Sequence, residues 1–563
     1  MTHPKKTAFP HFPASRLAGS LIVSSFLAFE ISAQSPVATL PAPATNGVAV
    51  VDQTALIQQL LSRIEQLEKR EAARTASEAA ANAPLVKRVN ELEQKLAAVE
   101  GAKLLPEIAV TSEDAPSQAE LDRKIKALEE KTAETAALAE QRAKEAPTVS
   151  IGASGIQFAS ADKNFSVSLK GMIQADAFNF FNDNPLSEGN DSFVLRRVRF
   201  ALQGTLYKDF EYLILPQYGG FSNDDVQILD AYVAYHPVKN FEVKLGKFKG
   251  PVGLELLESV AVLPFNERSM VSGLVPQRNV GLQVSGSVLD GAISGSAGVF
   301  NHAGDLRNPE ASDFGDDREY AGRVFFQPLK NTELKPLKGL GFGLGGSYSQ
   351  VSSNALALPG AIGSPLPGFY TSPGAQQFFA YNPLAGPVVA DGVHWRLSPQ
   401  GYWYWGPFGL LGEYALSSQG VYNSSTFRRE RLTHSAWQVT GEWVITGEEA
   451  GFNGIKPKNP FRLGAPGWGA WQLVGRFSQF DVDDKAFPTF SNPAFSATAA
   501  DSWSVGINWW LNRNVRVMTS FTHTSFLGGG AAPNLADPGT FFAPATVTAQ
   551  DENVWASRVQ ISF

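Results

Sequence analysis

Two periodicities divide this chain. Apolar side chains first recur at steps of three and four. Ile57, Leu60, Ile64 and Leu67 form one series, Leu85, Val89, Leu92, Leu96 and Val99 a second, and Leu121, Ile125 and Leu128 a third. Glu, Lys, Arg and Gln fill the positions between. That spacing is the a/d seam of a coiled coil with a solvated outer face. Pro84, Pro106 and Pro116 interrupt it, which predicts short coils rather than one rod. Each series is too short to be stable alone. Association with identical stalks is therefore expected, the alternative being a helix packed on its own chain.

From residue 165 the period changes to two. In Trp555-Ala556-Ser557-Arg558-Val559-Gln560-Ile561-Ser562-Phe563 the odd positions are mostly apolar and the even positions mostly polar or small. One face suits lipid and the other water, as in a transmembrane barrel strand. Similar segments recur at about 166–179, 193–207, 209–217, 227–236, 241–247, 280–289, 291–300, 319–327, 340–351, 393–404, 407–418, 433–446, 469–480, 501–511, 514–526 and 552–563. This is an even set of about sixteen antiparallel strands. Short links such as Tyr207-Lys208-Asp209, Pro237-Val238-Lys239-Asn240, Leu289-Asp290-Gly291 and Leu511-Asn512-Arg513-Asn514 alternate with long ones such as 352–392, 481–500 and 527–551. Short periplasmic turns opposite long external loops are the outer-membrane pattern. Residues 447–468 are long on the short-turn side, so one or two strand boundaries are expected to be misplaced there. Closure is the way to place such strands in hydrocarbon with every N–H and C=O paired. The expected fold class is thus an all-β transmembrane barrel preceded by an α-helical coiled-coil stalk. A lumen this wide is expected to conduct.

The N-terminus adds an address. Lys5, Lys6 and Arg16 precede the apolar run LAGSLIVSSFLAF, and Ile31-Ser32-Ala33 ends in small residues. This is the layout of a secretory signal peptide, and the run is too short to span a membrane as a helix. The expected order is a signal peptide over 1–33, a Pro/Ala-rich linker over 34–52, a periplasmic coiled-coil stalk over 53–146, a linker over 147–164 and an outer-membrane barrel over 165–563.

Composition sharpens the division. Residues 1–150 carry 17 Lys+Arg and 19 Asp+Glu but no Trp or Tyr, so all 11 Trp and 13 Tyr lie in the barrel half. Aromatics gather near strand ends, at Trp403, Tyr404 and Trp405 and at Trp509 and Trp510, as interface girdles would. The absence of Cys excludes disulfides and thiolate chemistry. A net charge of −7 gives no reason to expect a nucleic-acid partner. The barrel's five histidines, His236, His302, His394, His434 and His523, lie in no recognisable nucleophile motif. No enzyme, cofactor or metal site is expected.

Strand parity assigns the lining. With Val198, Phe200 and Leu202 facing lipid, Arg197 and Arg199 face the lumen, while Arg196 has the opposite parity and belongs at the rim. The same logic turns Lys170, Lys244, Arg323, Arg396, Arg476, Arg516 and Arg558 inward, together with Asp176, Asp230, Glu242, Glu413 and Glu442. A basic charge facing mid-membrane lipid would cost about 2–4 kcal/mol. The nine basic and five acidic residues lean towards anions, since rings of Arg or Lys offer fixed donors to anions and phosphates. The link 248–279 is too apolar for a solvated external loop. Folded inward, it would bury Leu254, Leu256, Leu257, Val260 and Val262 and bring Lys247, Lys249, Glu255, Glu258, Glu267, Arg268 and Arg278 near the pore.

The stretches FVLRRVRFALQGTLYKDFEY, ILDAYVAYHPVKNFEVKLGKFKGPVGLE and NERSMVSGLVPQRNVGLQV, with GEW, NWWLNRNVRV and the final ISF, resemble the phosphate-selective porin O and P family. That resemblance covers about residues 150–563. It implies a trimeric sixteen-stranded porin that passes phosphate or polyphosphate along an arginine ladder. Arg196, Arg197 and Arg199 match ladder positions, and Lys247 and Lys249 match inner-loop positions. The terminal Phe563 resembles the signal read by the barrel assembly machinery. The expected partners are outer-membrane lipid, two further copies of the chain, that machinery, and the cell wall through the stalk. The leading expectation is a passive channel for small hydrophilic solutes, anions such as phosphate first. The alternative is a general or sugar-type porin, with Tyr402 and Tyr404 on a sliding track and a stalk that tethers the outer membrane to the cell wall.

Overall fold

The structure is a computed structural model that describes residues 118–181, 191–220, 226–305, 317–352, 366, 369–381, 386–529 and 551–563. The expected signal peptide, the first linker and the first two coiled-coil series lie outside the described residues. The third series lies on a helix, α1 (Gln118–Glu145), where Ile125 and Leu128 are exposed. No described helix is long and apolar enough to cross a membrane.

A short hairpin follows, β1 (Thr148–Gly152) and β2 (Gly155–Ala159). Its alternation is too brief to read as spanning strands, so the sequence alone presents it as linker. Nine barrel strands come next: β3 (Ser166–Phe180), β4 (Ser192–Leu206), β5 (Phe210–Tyr218), β6 (Gln227–Val238), β7 (Phe241–Phe248), β8 (Asn279–Val288), β9 (Ile293–Asn301), β10 (Arg318–Phe326) and β11 (Gly339–Ser352). A small separate hairpin, β12 (Phe369–Thr371) and β13 (Gln377–Ala380), interrupts them. Seven more complete the wall: β14 (Val388–Trp405), β15 (Phe408–Asn423), β16 (Arg428–Val444), β17 (Ala470–Asp481), β18 (Ala499–Trp510), β19 (Val515–Leu527) and β20 (Glu552–Ser562). Each pairs antiparallel with its neighbour, and β20 pairs with β3 to close the sixteen-stranded cylinder.

Alternation decides which residues face where. On β20 the even positions are buried, while Trp555, Val559 and Ile561 face outward. On β17 Gln472, Arg476 and Ser478 are buried inside while Leu473 and Phe477 face lipid. The apolar exterior is what a barrel in hydrocarbon requires.

The interior is not an empty tube. An apolar cluster fills part of it, built from Val252, Leu256, Val271 and Leu274 of the β7–β8 loop, Tyr370 and Phe379 of the β12–β13 region, and Phe480 of the wall. Burying a Leu or Phe completely is worth about 1.5–3 kcal/mol, which draws such a loop inward. The lumen face of β11 makes room for it. Gly345 stands where the backbone of Val252 passes so closely that a Cβ would overlap it.

The long β16–β17 connection is a second inward element, from the short-turn end. Both flanking strands lie within two residues of their expected ends, so the anomaly is not a misplaced boundary. Ala450 N–H donates to Gly406 O (2.8 Å). Ile455 packs with Val444, Trp510 and Val262, and Phe452 stacks on Tyr402, 5.6 Å between centroids. Its apolar residues are spent on interior contacts, which explains a length no simple turn needs.

The seam is tied at its base. β20 pairs with β3 only from Met172 onward, and β2 takes the free edge from Ser166 to Leu169. Phe563 N–H donates to Gly171 O (2.9 Å), and Phe563 O accepts from Gly171 N–H (2.8 Å). Asn514 Nδ2 donates to Ala153 O (2.8 Å) and Ser562 O (2.6 Å), joining hairpin, C-terminus and the β18–β19 turn. Each such bond is worth about 0.5–1.5 kcal/mol. Asn514→Ala is therefore expected to lower the temperature at which the compact, heat-modifiable gel band is lost, while the protein still folds. An unchanged transition would remove Asn514 from the seam.

Candidate functional site at the constriction

The loop 249–278 is irregular and buried, so its backbone polar groups need partners. The wall supplies them from the strands that run from β14 through β20 to β3. Gln400 Nε2 donates to Val252 O (2.8 Å), Gln174 Nε2 to Val260 O (3.1 Å) and Gln560 Nε2 to Ala261 O (2.9 Å). Arg516 Nη1 donates to Leu263 O, Asn508 Nδ2 to Pro264 O and Arg476 Nη1 to Glu267 O, each at 2.9 Å. Glu413 receives the N–H groups of Leu254 (2.9 Å) and Glu255 (2.8 Å) at the single turn α2 (Leu254–Leu257).

Glu267 is the hub. Its carboxylate meets Arg196 Nε (2.7 Å), Arg197 Nη2 (3.0 Å) and Arg558 Nη2 (3.4 Å). Parity alone sends Arg196 to the rim. The structure corrects this through a β-bulge: Gln174 pairs with Arg197 and Ala175 with Leu195, so Arg196 is the extra residue. A bulge re-aims side chains, and here both arginines reach one acceptor. Burial pushes the Glu267 carboxyl up, but the guanidiniums of Arg196, Arg197 and Arg558 prevail and hold it well below the usual carboxylate range.

The other expected lining residues separate into groups. Arg558 is bidentate with Asp176, both bonds 2.6 Å. Arg396 is enclosed by Asp305, Glu319 and Ala303 O, each at 2.6 Å. Arg476 lies over Phe265 and Arg516 over Trp510, each 4.5 Å from the ring. Arg197, Arg396, Arg476, Arg516 and Arg558, with Asp176 and Glu413, are thus buried struts between wall and loops rather than groups facing an open channel. Parity identifies the lumen face but not which lumen positions an inward loop covers. Lys244 pairs with Glu242 (3.0 Å) and lies over Tyr232. Arg323 donates to Gln400 Oε1 (2.8 Å) and Glu442 accepts from Gln472. Lys170 lies on the inner face of β3, half-buried. Lys247 is not on the inner loop. It is the penultimate residue of β7, on the parity opposite Lys244 and Phe248.

Arg199, Lys249, Arg268 and the Arg278–Asp230 pair (3.1 Å) come within interaction range of one another. Arg199 Nε donates to Gln217 Oε1 (2.7 Å). Lys249 Nζ and Arg268 Nη2 share Glu258 O, each at 2.9 Å. Among the described residues, Arg199, Lys249 and Arg268 form no ion pair. A carbonyl or amide oxygen accepts a hydrogen bond without neutralising the charge. Burial, then Arg268 and Arg278, pull the Lys249 ammonium well below its ordinary value. Burial, then Glu255 and Glu442, push Glu258 up to about 8.

Towards the external end, His302 Nε2 meets His394 Nδ1 (2.9 Å), and His394 Nε2 meets both Ser417 Oγ (2.9 Å) and Asp305 Oδ1 (3.5 Å). In a catalytic triad the acid and the hydroxyl occupy opposite imidazole nitrogens. Here they share one, and the groups are buried. With Tyr370 on Asp305 (3.2 Å) and Tyr381 on His434 (2.8 Å), this network fastens the β12–β13 region inside the barrel.

The hub role of Glu267 and the glutamine struts Gln174, Gln400 and Gln560 went unread in the sequence. The glutamines' one signal was polarity at lumen parity, and Glu267 read only as one of the loop charges near the pore. Removing one partner of a buried ion pair typically costs about 3–5 kcal/mol. Glu267→Gln removes the carboxylate shared by Arg196, Arg197 and Arg558, of which Arg558 keeps Asp176, so the loop is expected to loosen. Single-channel recordings should then show larger, noisier conductance and a stronger anion preference. Unchanged conductance and noise would show that the loop holds without the hub.

The family model for phosphate-selective porin O and P matches residues 167–525. Porin O of Pseudomonas aeruginosa is 27% identical over 394 residues, 65% of this chain and 84% of that protein. Among solved structures, an anion-selective porin from Comamonas acidovorans aligns over 71% of this chain and 100% of its own, with 10% identity and a TM-score of 0.42. The outer membrane channel DcaP of Acinetobacter baumannii aligns over 71% of this chain and 98% of its own, with 10% identity and a TM-score of 0.42. On the extent of the family match, the chain belongs to the phosphate-selective porin O and P family and is an outer-membrane porin channel.

Proposed function

We propose that this porin passes small hydrophilic anions by passive diffusion, with phosphate the first candidate. One observation carries the reading. The buried wall arginines Arg197, Arg396, Arg476 and Arg558 each pair with a carboxylate, whereas Arg199, Lys249 and Arg268 gather at the loop with amide and carbonyl oxygens as their hydrogen-bond partners. Fixed donors that are not paired directly with a carboxylate replace part of an anion's lost hydration. A sugar-type track would need open aromatic faces. Tyr402 instead packs against Phe452 and Tyr404, at 5.6 Å and 5.3 Å between centroids.

The rest of the assembly follows as part of the same proposal. The exposed Ile125 and Leu128 of α1 suit a coiled-coil seam with identical stalks. The chain would then be a homotrimer with a periplasmic stalk contacting the cell wall. Phe563 would be read by the assembly machinery before the seam closes over Gly171.

Planar-bilayer recording under a KCl gradient is expected to give an anion-side reversal potential that moves toward zero in Arg199→Gln and in Lys249→Gln. Phosphate should reduce the chloride current. A cation-side potential in the parent protein would sink the reading. Anion preference should also fall as pH rises. Glu258 gains negative charge through about 8, and Lys249 loses its proton below the ordinary lysine value of about 10.4. Glu258→Gln should remove the first step and leave the second. A preference that strengthens with pH would contradict both assignments.

A further inference from the structure

We propose that residues 461–468, the outer half of the β16–β17 connection, form a membrane-interface hook seated in the inner leaflet of the outer membrane, at the boundary between phospholipid headgroups and acyl chains. After passing beneath the lumen, the connection returns to the outside of the wall. Phe461 N–H donates to Leu511 O (2.7 Å), and Gly469 N–H donates to Asn459 O (2.9 Å). These bonds fix the two ends of the tip at the base of β17 and β18. Ala465 N–H donates to Arg462 O (3.2 Å) and closes the turn.

The tip then presents apolar surface where a water-facing turn would not. Leu463 is 95% exposed and Trp468 73% exposed. Lys239-Asn240, in the short turn between β6 and β7, is polar, as an aqueous periplasmic turn should be. Arg462 lies beside Leu463, a pairing that lets the guanidinium reach phosphates while the leucine stays in the apolar layer.

Continuity with the lipid-facing wall identifies the occupant. Trp509 Nε1 donates to Trp468 O (2.7 Å). Phe461 meets the Trp509 ring edge-on at 5.1 Å, and Trp471 stacks on Trp509 at 5.2 Å. Trp405, Phe408 and Trp443 continue the outward aromatic band around the same end. Tryptophan and tyrosine prefer this interface because their bodies are apolar and their edges are polar. The hook is therefore an extension of the aromatic girdle, and phospholipid is the partner it fits. Because the same connection also packs against Val262 of the constriction loop, lipid contact and pore architecture share one segment.

The chain contains no cysteine, so single-cysteine labelling is clean. Leu463→Cys carrying an environment-sensitive fluorophore is to be compared in phosphatidylglycerol-containing proteoliposomes with two controls. Lys239→Cys reports the aqueous periplasmic turn, and Val505→Cys, 52% exposed on the wall, reports lipid. The expected result at position 463 is a blue-shifted emission. It should be quenched by phospholipid spin-labelled near the headgroup and shielded from iodide supplied on both sides. Iodide quenching equal to that at position 239 would overturn the proposal. Shielding from iodide without quenching by spin-labelled lipid would also overturn it, since protein would then cover the tip.

Discussion

The constraint on which this porin depends is the backbone of residues 252–267. It is irregular and largely buried, and a buried backbone group has no bulk water to replace a missing hydrogen bond. Its carbonyls are met by side chains from β3, β14, β17, β18, β19 and β20, and its N–H groups by Glu413 of β15. The loop could not occupy this path if those strands carried apolar residues inward. The wall could not keep Arg197, Arg476, Arg516 and Arg558 buried if the loop were absent. Wall and loop satisfy one another, and the constriction is the space left between them.

That mutual satisfaction sorts the charges. Most inward arginines serve structure. Glu267 collects three of them, Asp176 shares one, and Asp305 with Glu319 hold Arg396. In the proposed function, selectivity rests with the cations at the loop that have no carboxylate partner. A count of basic residues at lumen parity overstates the field a permeating solute would meet, because a bidentate carboxylate cancels a guanidinium at close range. The bulge at Arg196 shows the same economy. It adds a second charge to the hub without adding one to the open lumen.

The barrel was legible in the chain because its solvent reverses the usual rule. Every spanning strand must alternate, since one face meets lipid and the other the lumen. The strands found at 166–180, 192–206 and 552–562 lie within a residue or so of where alternation alone places them. The inward loop was legible for a related reason. Leu254, Leu256 and Val260 are too apolar for an external position. Less visible were features that depend on who meets whom: the hub at Glu267, the glutamine struts, the hairpin at 148–159 and the inward course of residues 448–455. None carries a periodic signal. Lys247 shows the limit of matching by motif, because its neighbours in the motif sit on the loop while it remains on the strand.

The amino-acid sequence by itself determined the class of protein, the strand count and the lumen face of each strand, because these follow from local periodicity and from the hydrophobicity of lipid. Only the tertiary structure decided which lumen residues are buried struts and which remain unneutralised. It also decided that an overlong turn would run inward beneath the pore and outward to the girdle. Those outcomes depend on distances between segments far apart in the chain, such as Glu267 and Arg558, and local pattern holds no information about such distances.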